Sequence, residues 1–255
     1  MILINPSSLL PNDFPLVVCE CLAQMQAYPY ENLSKIHRAH NFLHNDNRPR
    51  SQDIFLQEAI ELGTGGTCFA LTHHLHNQLK QCGFPSRFIM GDKYSQKNIH
   101  CALLYKHDNT DFLLDPGYMI YTPLQLPTPT ERLSFRVDPN DITLFTSTLS
   151  SAWVLCTGAG KTVQERFSLR QETVEEKDFF DFWRASFSLP MMGYPVLNCL
   201  KDGVQYYLQK NMLLSRSRSG SDKKHLNSLE LRQVINDIFN INPDLTEKTL
   251  THLGY

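Results

Sequence analysis

The chain has 255 residues, 42% hydrophobic and 20% charged, with a formal net charge of −2 at pH 7. That length supports one large globular core or two to three smaller domains. The charge balance supplies no positive field for a phosphate backbone, which excludes nucleic acid as an expected partner. No apolar run reaches bilayer length, and Met1-Ile2-Leu3-Ile4-Asn5-Pro6 lacks both the basic and the cleavable apolar stretch of an export signal. The expectation is a soluble, cytoplasmic protein with no membrane partner. Seven cysteines, Cys19, Cys21, Cys68, Cys82, Cys101, Cys156 and Cys199, are scattered without repeated spacing, as reduced thiols are.

From Asp13 to Ala27 the apolar residues Phe14, Val17, Val18, Cys21, Leu22 and Met25 follow helical spacing, and the Pro29-Tyr30-Glu31-Asn32-Leu33 stretch ends that helix. His37, His40 and His44 lie among polar residues, and His73, His74 and His76 cluster further on. Neither set has a companion Cys or carboxylate at ligand spacing, so both read as surface and core histidines and no metal is expected. Ser51 to Leu62 predicts a second helix, with Ile54, Phe55, Ala59 and Ile60 buried and Glu58 and Glu61 solvated.

Gly65 and Gly66 free the backbone for a tight turn, and Thr67 leads into a run from Cys68 to Gln81 in which Leu71, Leu75 and Leu79 recur every four residues. Gly83 supplies the stop of this predicted helix. Cys68 therefore falls in a first helical turn, where orphan N–H groups and the positive end of the macrodipole stabilise a thiolate.

Beyond Pro85 the pattern changes to short strands: Arg87 to Met90, Ile99 to Tyr105, Phe112 to Asp115, Leu133 to Val137, Thr143 to Ser147, Trp153 to Cys156 and Arg166 to Leu169. Such runs, broken by turn residues, predict an antiparallel barrel or sheet. Gly117 to Thr130, with Pro123, Pro127 and Pro129, reads as a loop bordering Asp115. Gly158-Ala159-Gly160-Lys161-Thr162 ends like a phosphate-binding loop but lacks its first glycine, Leu155 standing there, and reads as a hairpin turn. Glu175 to Phe187 predicts an aromatic, amphipathic helix; Val204 to Leu214 returns to strands; and Ser215 to Ser221 reads as a flexible basic loop. Leu226 to Phe239, capped by Asn227 or Ser228, and Thr246 to Leu253 predict the last two helices.

The expected fold class is α+β. It comprises a helical domain over 1–84 carrying Cys68, an antiparallel barrel-like domain over 85–188 carrying His100 and Asp115, and an α/β domain over 189–255. Folding the hairpin about Lys106 to Asp111 brings His100 and Asp115 within about one residue of register. Cys68, His100 and Asp115 thus follow the order of a thiol acyl-transfer triad: nucleophile, base, and the carboxylate that orients the imidazole.

Pro29-Tyr30-Glu31-Asn32-Leu33, Gly65-Gly66-Thr67-Cys68-Phe69, Ile99-His100 and Leu114-Asp115-Pro116-Gly117-Tyr118 resemble, in order and spacing, motifs of the arylamine N-acetyltransferase family. That pattern is Pro-Phe-Glu-Asn, Arg-Gly-Gly-x-Cys-x-Glu-x-Asn, a histidine, and Asp-Val-Gly-Phe. The resemblance spans Ala27 to Gln125 and departs at Thr64, Ala70 and Thr72, where the family has Arg, Glu and Asn. It implies a ping-pong acyltransferase with acetyl-coenzyme A as cosubstrate, no metal, and a small-molecule amine, arylamine or related, as acceptor. It also implies that the loop after Asp115 helps receive coenzyme A. Glu31, whose family partner is the missing arginine, is left to Lys35, to Arg38 or to no partner. The same residues fit a cysteine amidase, peptidase or amide synthase, and a non-catalytic binding protein on an inherited fold is the reading from a different class.

Overall fold

A computed structural model describes residues 3–42, 48–158 and 163–255. His44 and most of the turn read at Gly158 to Thr162 lie outside the described residues. In chain order the described elements begin with α1 (Leu16–Gln24), β1 (Tyr30–Glu31), α2 (Leu33–Asn41), α3 (Gln52–Leu62) and α4 (Cys68–Gln81). The strands β2 (Arg87–Lys93), β3 (Gln96–His107), β4 (Thr110–Asp115), β5 (Ile120–Gln125), β6 (Arg132–Val137), β7 (Asn140–Thr146), β8 (Trp153–Thr157) and β9 (Gln164–Val174) follow. Then come α5 (Glu176–Ala185), β10 (Val196–Lys201), β11 (Val204–Gln209), β12 (Met212–Ser217), β13 (Gly220–His225), α6 (Ser228–Asp237) and α7 (Pro243–His252).

Packing groups the chain into two units, Met1–Met25 with Leu75–Phe179, and Gln26–His74 with Phe180–Tyr255, so neither is continuous in sequence. The three-part division along the chain stays a proposal.

In the first unit eight strands form one sheet in the order β5-β4-β3-β2-β9-β8-β7-β6, every pair antiparallel. Ile4 extends the β6 edge by bridging Phe135, and the 3-10 turn after it, Pro6–Leu9, packs on both edge strands, β5 and β6. The sheet is therefore nearly closed, with its free edges covered. Ile89, Ala102, Leu104, Leu113, Leu124, Phe135, Leu144, Leu155 and Leu169 fill its interior. Ala102 and Leu104 share a face of β3 because side chains alternate along a strand, and His100 belongs to that same face.

In the second unit the sheet runs β1-β10-β11-β12-β13. Leu197, Cys199 and Leu208 pack there with Leu33 of α2, Leu231 and Ile235 of α6 and Leu245 and Leu250 of α7. Asn227 caps α6: its side chain accepts from the N–H of Leu229 and Glu230, and Glu230 returns a bond to the cap. The fold is thus mixed helix and sheet with an antiparallel barrel-like sheet. Among the described residues no helix is long and apolar enough to cross a membrane.

The structure corrects several expectations. The segment read as a loop from Gly117 to Thr130 contains β5, which takes Pro123 because it is an edge strand whose outer backbone needs no ladder bond. The basic segment Ser215 to Ser221 is no loop: Ser215–Ser217 end β12 and Gly220–Ser221 begin β13, paired in register. Every residue of β13 is exposed, so its sequence carries no apolar alternation. In α3 only Phe55 is buried, while Ile60 is 85% exposed. The inward face carries Phe55 and Glu58, one turn apart, because Glu58 bridges Arg38 and Arg50. Leu229 of α6 is likewise exposed. α2, β1 and β10 were not anticipated.

Candidate active site

Leu103 faces Leu114 in the β3–β4 ladder, so His100 and Asp115 stand diagonally rather than directly opposite. The turn is tighter than expected, with Lys106 to Asp111 contributing paired strand residues and Asp108 and Asn109 left at the bend, but it shortens evenly on both strands and keeps Tyr105 opposite Phe112. The parity of the alternation still puts both side chains on one face. His100 Nε2 lies 2.7 Å from Asp115 Oδ2, and both side chains are buried. Asp115 Oδ1 accepts the Tyr118 N–H at 2.9 Å, so the next turn fixes the carboxylate's rotation. Phe167 of β9 stacks on the imidazole with ring centroids 4.1 Å apart and an interplanar angle of 14°. Gly91 is the cross-strand partner of His100, and a Cβ there would meet His100 Cβ and Leu169 Cδ2, both at 3.1 Å. Tyr118 and Phe167 complete an aromatic wall around the ring.

Cys68 is the first residue of α4 and is 4% exposed. The helix forms as its spacing predicts: Leu71, Leu75 and Leu79 are buried, and Gly83 ends it at φ +82°. In the preceding turn, Gly66 O accepts the Glu31 N–H at 3.0 Å, and Gly66 has φ +117°, a conformation that favours glycine. The structure thus joins His100 to Asp115 within the first unit and sets Cys68 at a helix start in the second.

Glu31 is fully buried and accepts from the Ser34 N–H at 2.8 Å and Ser34 Oγ at 2.5 Å. Burial pushes its carboxyl up, and the charge of Arg50 opposes that rise. Lys35 donates to Ser186 Oγ and Arg38 to Glu58. Arg50 comes to the residues beside the position where the family has arginine: its Nη2 donates to Gly65 O at 2.5 Å and its Nη1 to Thr64 Oγ1 at 3.4 Å. Arg50 and Phe167 escape a reading of the sequence. Thr64 in place of arginine is the one signal that a cation must come from elsewhere.

The histidines serve packing. His74 stacks on Phe55, His73 packs on Phe180 and Trp183, and His76 Nδ1 bonds Ser86 Oγ at 2.9 Å. His37 bonds Asn41, and His40 packs against His252, ring centroids 4.0 Å apart and tilted by 45°, in an open cleft of about 410 Å³ between α2 and α7. Among the described residues one group has the spacing to hold a metal ion, the surface set Asp13, His107 and Asp108.

The profile of an N-acetyltransferase family matches residues 20–248. The chain belongs to the arylamine N-acetyltransferase family, whose members are enzymes. Over 114 residues it is 27% identical to arylamine N-acetyltransferase 1 of Bos taurus, a match covering 40% of this chain and 37% of that relative's length. The arylamine N-acetyltransferase of Mycobacterium abscessus superposes with a TM-score of 0.75 at 18% identity, over 93% of this chain and 89% of that one. The Mycobacterium marinum enzyme in complex with CoA gives 0.75 at 16% identity, over 92% and 91%. At these identities the structural likeness is one of fold.

Proposed function

We propose that this chain moves an acetyl or related acyl group from acyl-coenzyme A to an amine, an arylamine or a related compound, through a thioester on Cys68. The observation that carries this reading is the buried, doubly anchored His100–Asp115 pair in a family member whose helix α4 opens on a cysteine. CoA bound by the Mycobacterium marinum protein supports coenzyme A as the donor's leaving group.

In the first half-reaction the Cys68 thiolate attacks the carbonyl carbon of the acyl thioester. The tetrahedral oxyanion is held by backbone N–H groups at the start of α4, those of Cys68 and Phe69, and collapses with loss of the coenzyme A thiolate, which takes the proton that His100 drew from Cys68 and leaves the imidazole neutral. In the second half the amine attacks the Cys68 thioester, His100 accepts the amine proton, and the Cys68 thiolate leaves. Asp115 engages Nε2, so His100 exchanges protons through Nδ1, and the carboxylate stabilises the imidazolium. Phe167, stacked on the ring, keeps it from swinging away from that line.

The test is steady-state kinetics with acetyl-coenzyme A and an arylamine. The reading predicts parallel double-reciprocal lines, one equivalent of coenzyme A released per enzyme without amine, and continued release only when the amine is present. Release at the same rate without amine, or cleavage of an amide without coenzyme A, overturns it in favour of hydrolysis.

A further inference from the structure

We infer that Arg50 is the positioning residue for the nucleophile turn, holding the Gly65 carbonyl two peptides ahead of Cys68. The inference rests on the reading of Cys68 as the nucleophile. Arg50 is 3% exposed and precedes α3. Its Nη2 donates to Gly65 O at 2.5 Å, and its Nη1 donates to Glu58 Oε2 at 3.0 Å and to Thr64 Oγ1 at 3.4 Å. Its guanidinium carbon lies 4.9 Å from the Phe55 ring centroid. Glu58 also takes Arg38 Nη1 at 2.8 Å, so one carboxylate holds two buried guanidinium groups and fixes Arg50 from behind.

Gly66 shows what the guanidinium does. A Cβ on that residue would collide with Arg50 Nη2 and with Ala70 Cβ, so glycine is needed for space as well as for its φ of +117°. A Cβ on Gly65 would collide with Pro29 O on the other side. The turn is therefore held between two walls. Gly65 O is tied to Arg50 and Gly66 O to the Glu31 N–H, which sets two successive peptide planes just before Cys68. Fixing those planes fixes where α4 starts and which way its first N–H groups point. Those N–H groups are what stabilise a Cys68 thiolate and an oxyanion beside it. A guanidinium suits this role because its planar fork reaches a carbonyl and a carboxylate together, which an ammonium does not.

The test is competitive carbamidomethylation of the whole chain by limiting iodoacetamide near neutral pH. It is read by peptide mass spectrometry as the ratio of labelling at Cys68 to that at exposed Cys82, in wild type, Arg50→Met and Arg50→Lys. The expected result is a ratio that falls by about tenfold or more in folded Arg50→Met and is partly restored in Arg50→Lys, since small misplacements of a reacting group cost rates of this order. An unchanged ratio in folded Arg50→Met overturns the inference and leaves the proposed function standing. Should Arg50→Met fail to fold, an unchanged ratio in folded Arg50→Lys overturns it equally. Acetyl uptake by wild type from acetyl-coenzyme A is measured in parallel. A lost ratio in the variant with no uptake by wild type keeps Arg50 as the residue that positions Cys68 while removing the acyltransferase reading.

Discussion

His100 Nε2 and Asp115 Oδ2 meet at 2.7 Å across a diagonal of the β3–β4 hairpin, and the Tyr118 N–H holds the second carboxylate oxygen at 2.9 Å. Asp115→Asn keeps an oxygen for Tyr118 and so keeps the fold, but its amide stabilises the wrong imidazole tautomer and offsets no imidazolium charge. Single-turnover acylation by acetyl-coenzyme A should slow by roughly 10⁴, the size of the equivalent change in a serine protease. A folded variant within a few-fold of wild type would make Asp115 a structural residue of the strand end.

Thiol reactivity should single out Cys68. Burial pushes the Cys199 thiol up to about 11, and burial together with neighbouring Cys82 pushes Cys21 to about 11. Cys19 and Cys156 are also raised, chiefly by burial. At neutral pH these four are almost wholly protonated and inert, since the thiolate is the nucleophile. Limiting iodoacetamide followed by peptide mapping should label Cys68 first, ahead of exposed Cys82. Equal labelling of the two would argue against an activated thiolate.

His74 gives the fold an acid limb. Its ring stacks on Phe55, its Nδ1 bonds Gln52 Nε2 at 2.8 Å, and its Nε2 is buried without a hydrogen-bond partner. Burial, aided by the charges of His73 and Arg50, lowers its pKa from 6.5 to about 4. A depressed pKa means that the unfolded chain binds the proton more readily. The neutral ring's contribution is therefore full above about 6.5 and is lost as pH falls toward 4, up to about 3 kcal/mol. Urea unfolding of wild type and His74→Leu at several pH values should show a shallower acid loss in the variant. Parallel curves would mean that His74 does not control it.

The capping box of α6 provides a local check. Asn227→Ala removes the acceptor for the Leu229 and Glu230 N–H groups at 3.0 and 2.9 Å, which should cost about 1 kcal/mol. Thermal unfolding should show Tm lower by roughly 2 to 4 °C, with Cys68 labelling unchanged. A larger loss, or a changed labelling pattern, would mean that α6 does more than seal its own core.

What the sequence made legible follows from how local the governing physics is. α4 was readable to its ends because Leu71, Leu75, Leu79 and Gly83 all speak within one helix. His100 and Asp115 were readable as partners because a hairpin is a local object, even though the true register is diagonal. β5 and β13 were missed because an edge strand tolerates Pro123 and an exposed strand needs no apolar face. The burial of α3 was misread because Glu58 turns inward to Arg38 and Arg50, charges that come from other parts of the chain. Arg50 at the Gly65 carbonyl and Phe167 on the His100 ring are long-range contacts that no local pattern announces.

The most direct measurement of the central claim is intact-protein and peptide mass spectrometry after a brief incubation with acetyl-coenzyme A in the absence of amine, on wild type and Cys68→Ala. The account predicts that wild type gains one acetyl group on the peptide carrying Cys68, that an added arylamine removes it, and that Cys68→Ala gains none. Acetylation at another residue, or equal uptake by Cys68→Ala, would contradict it.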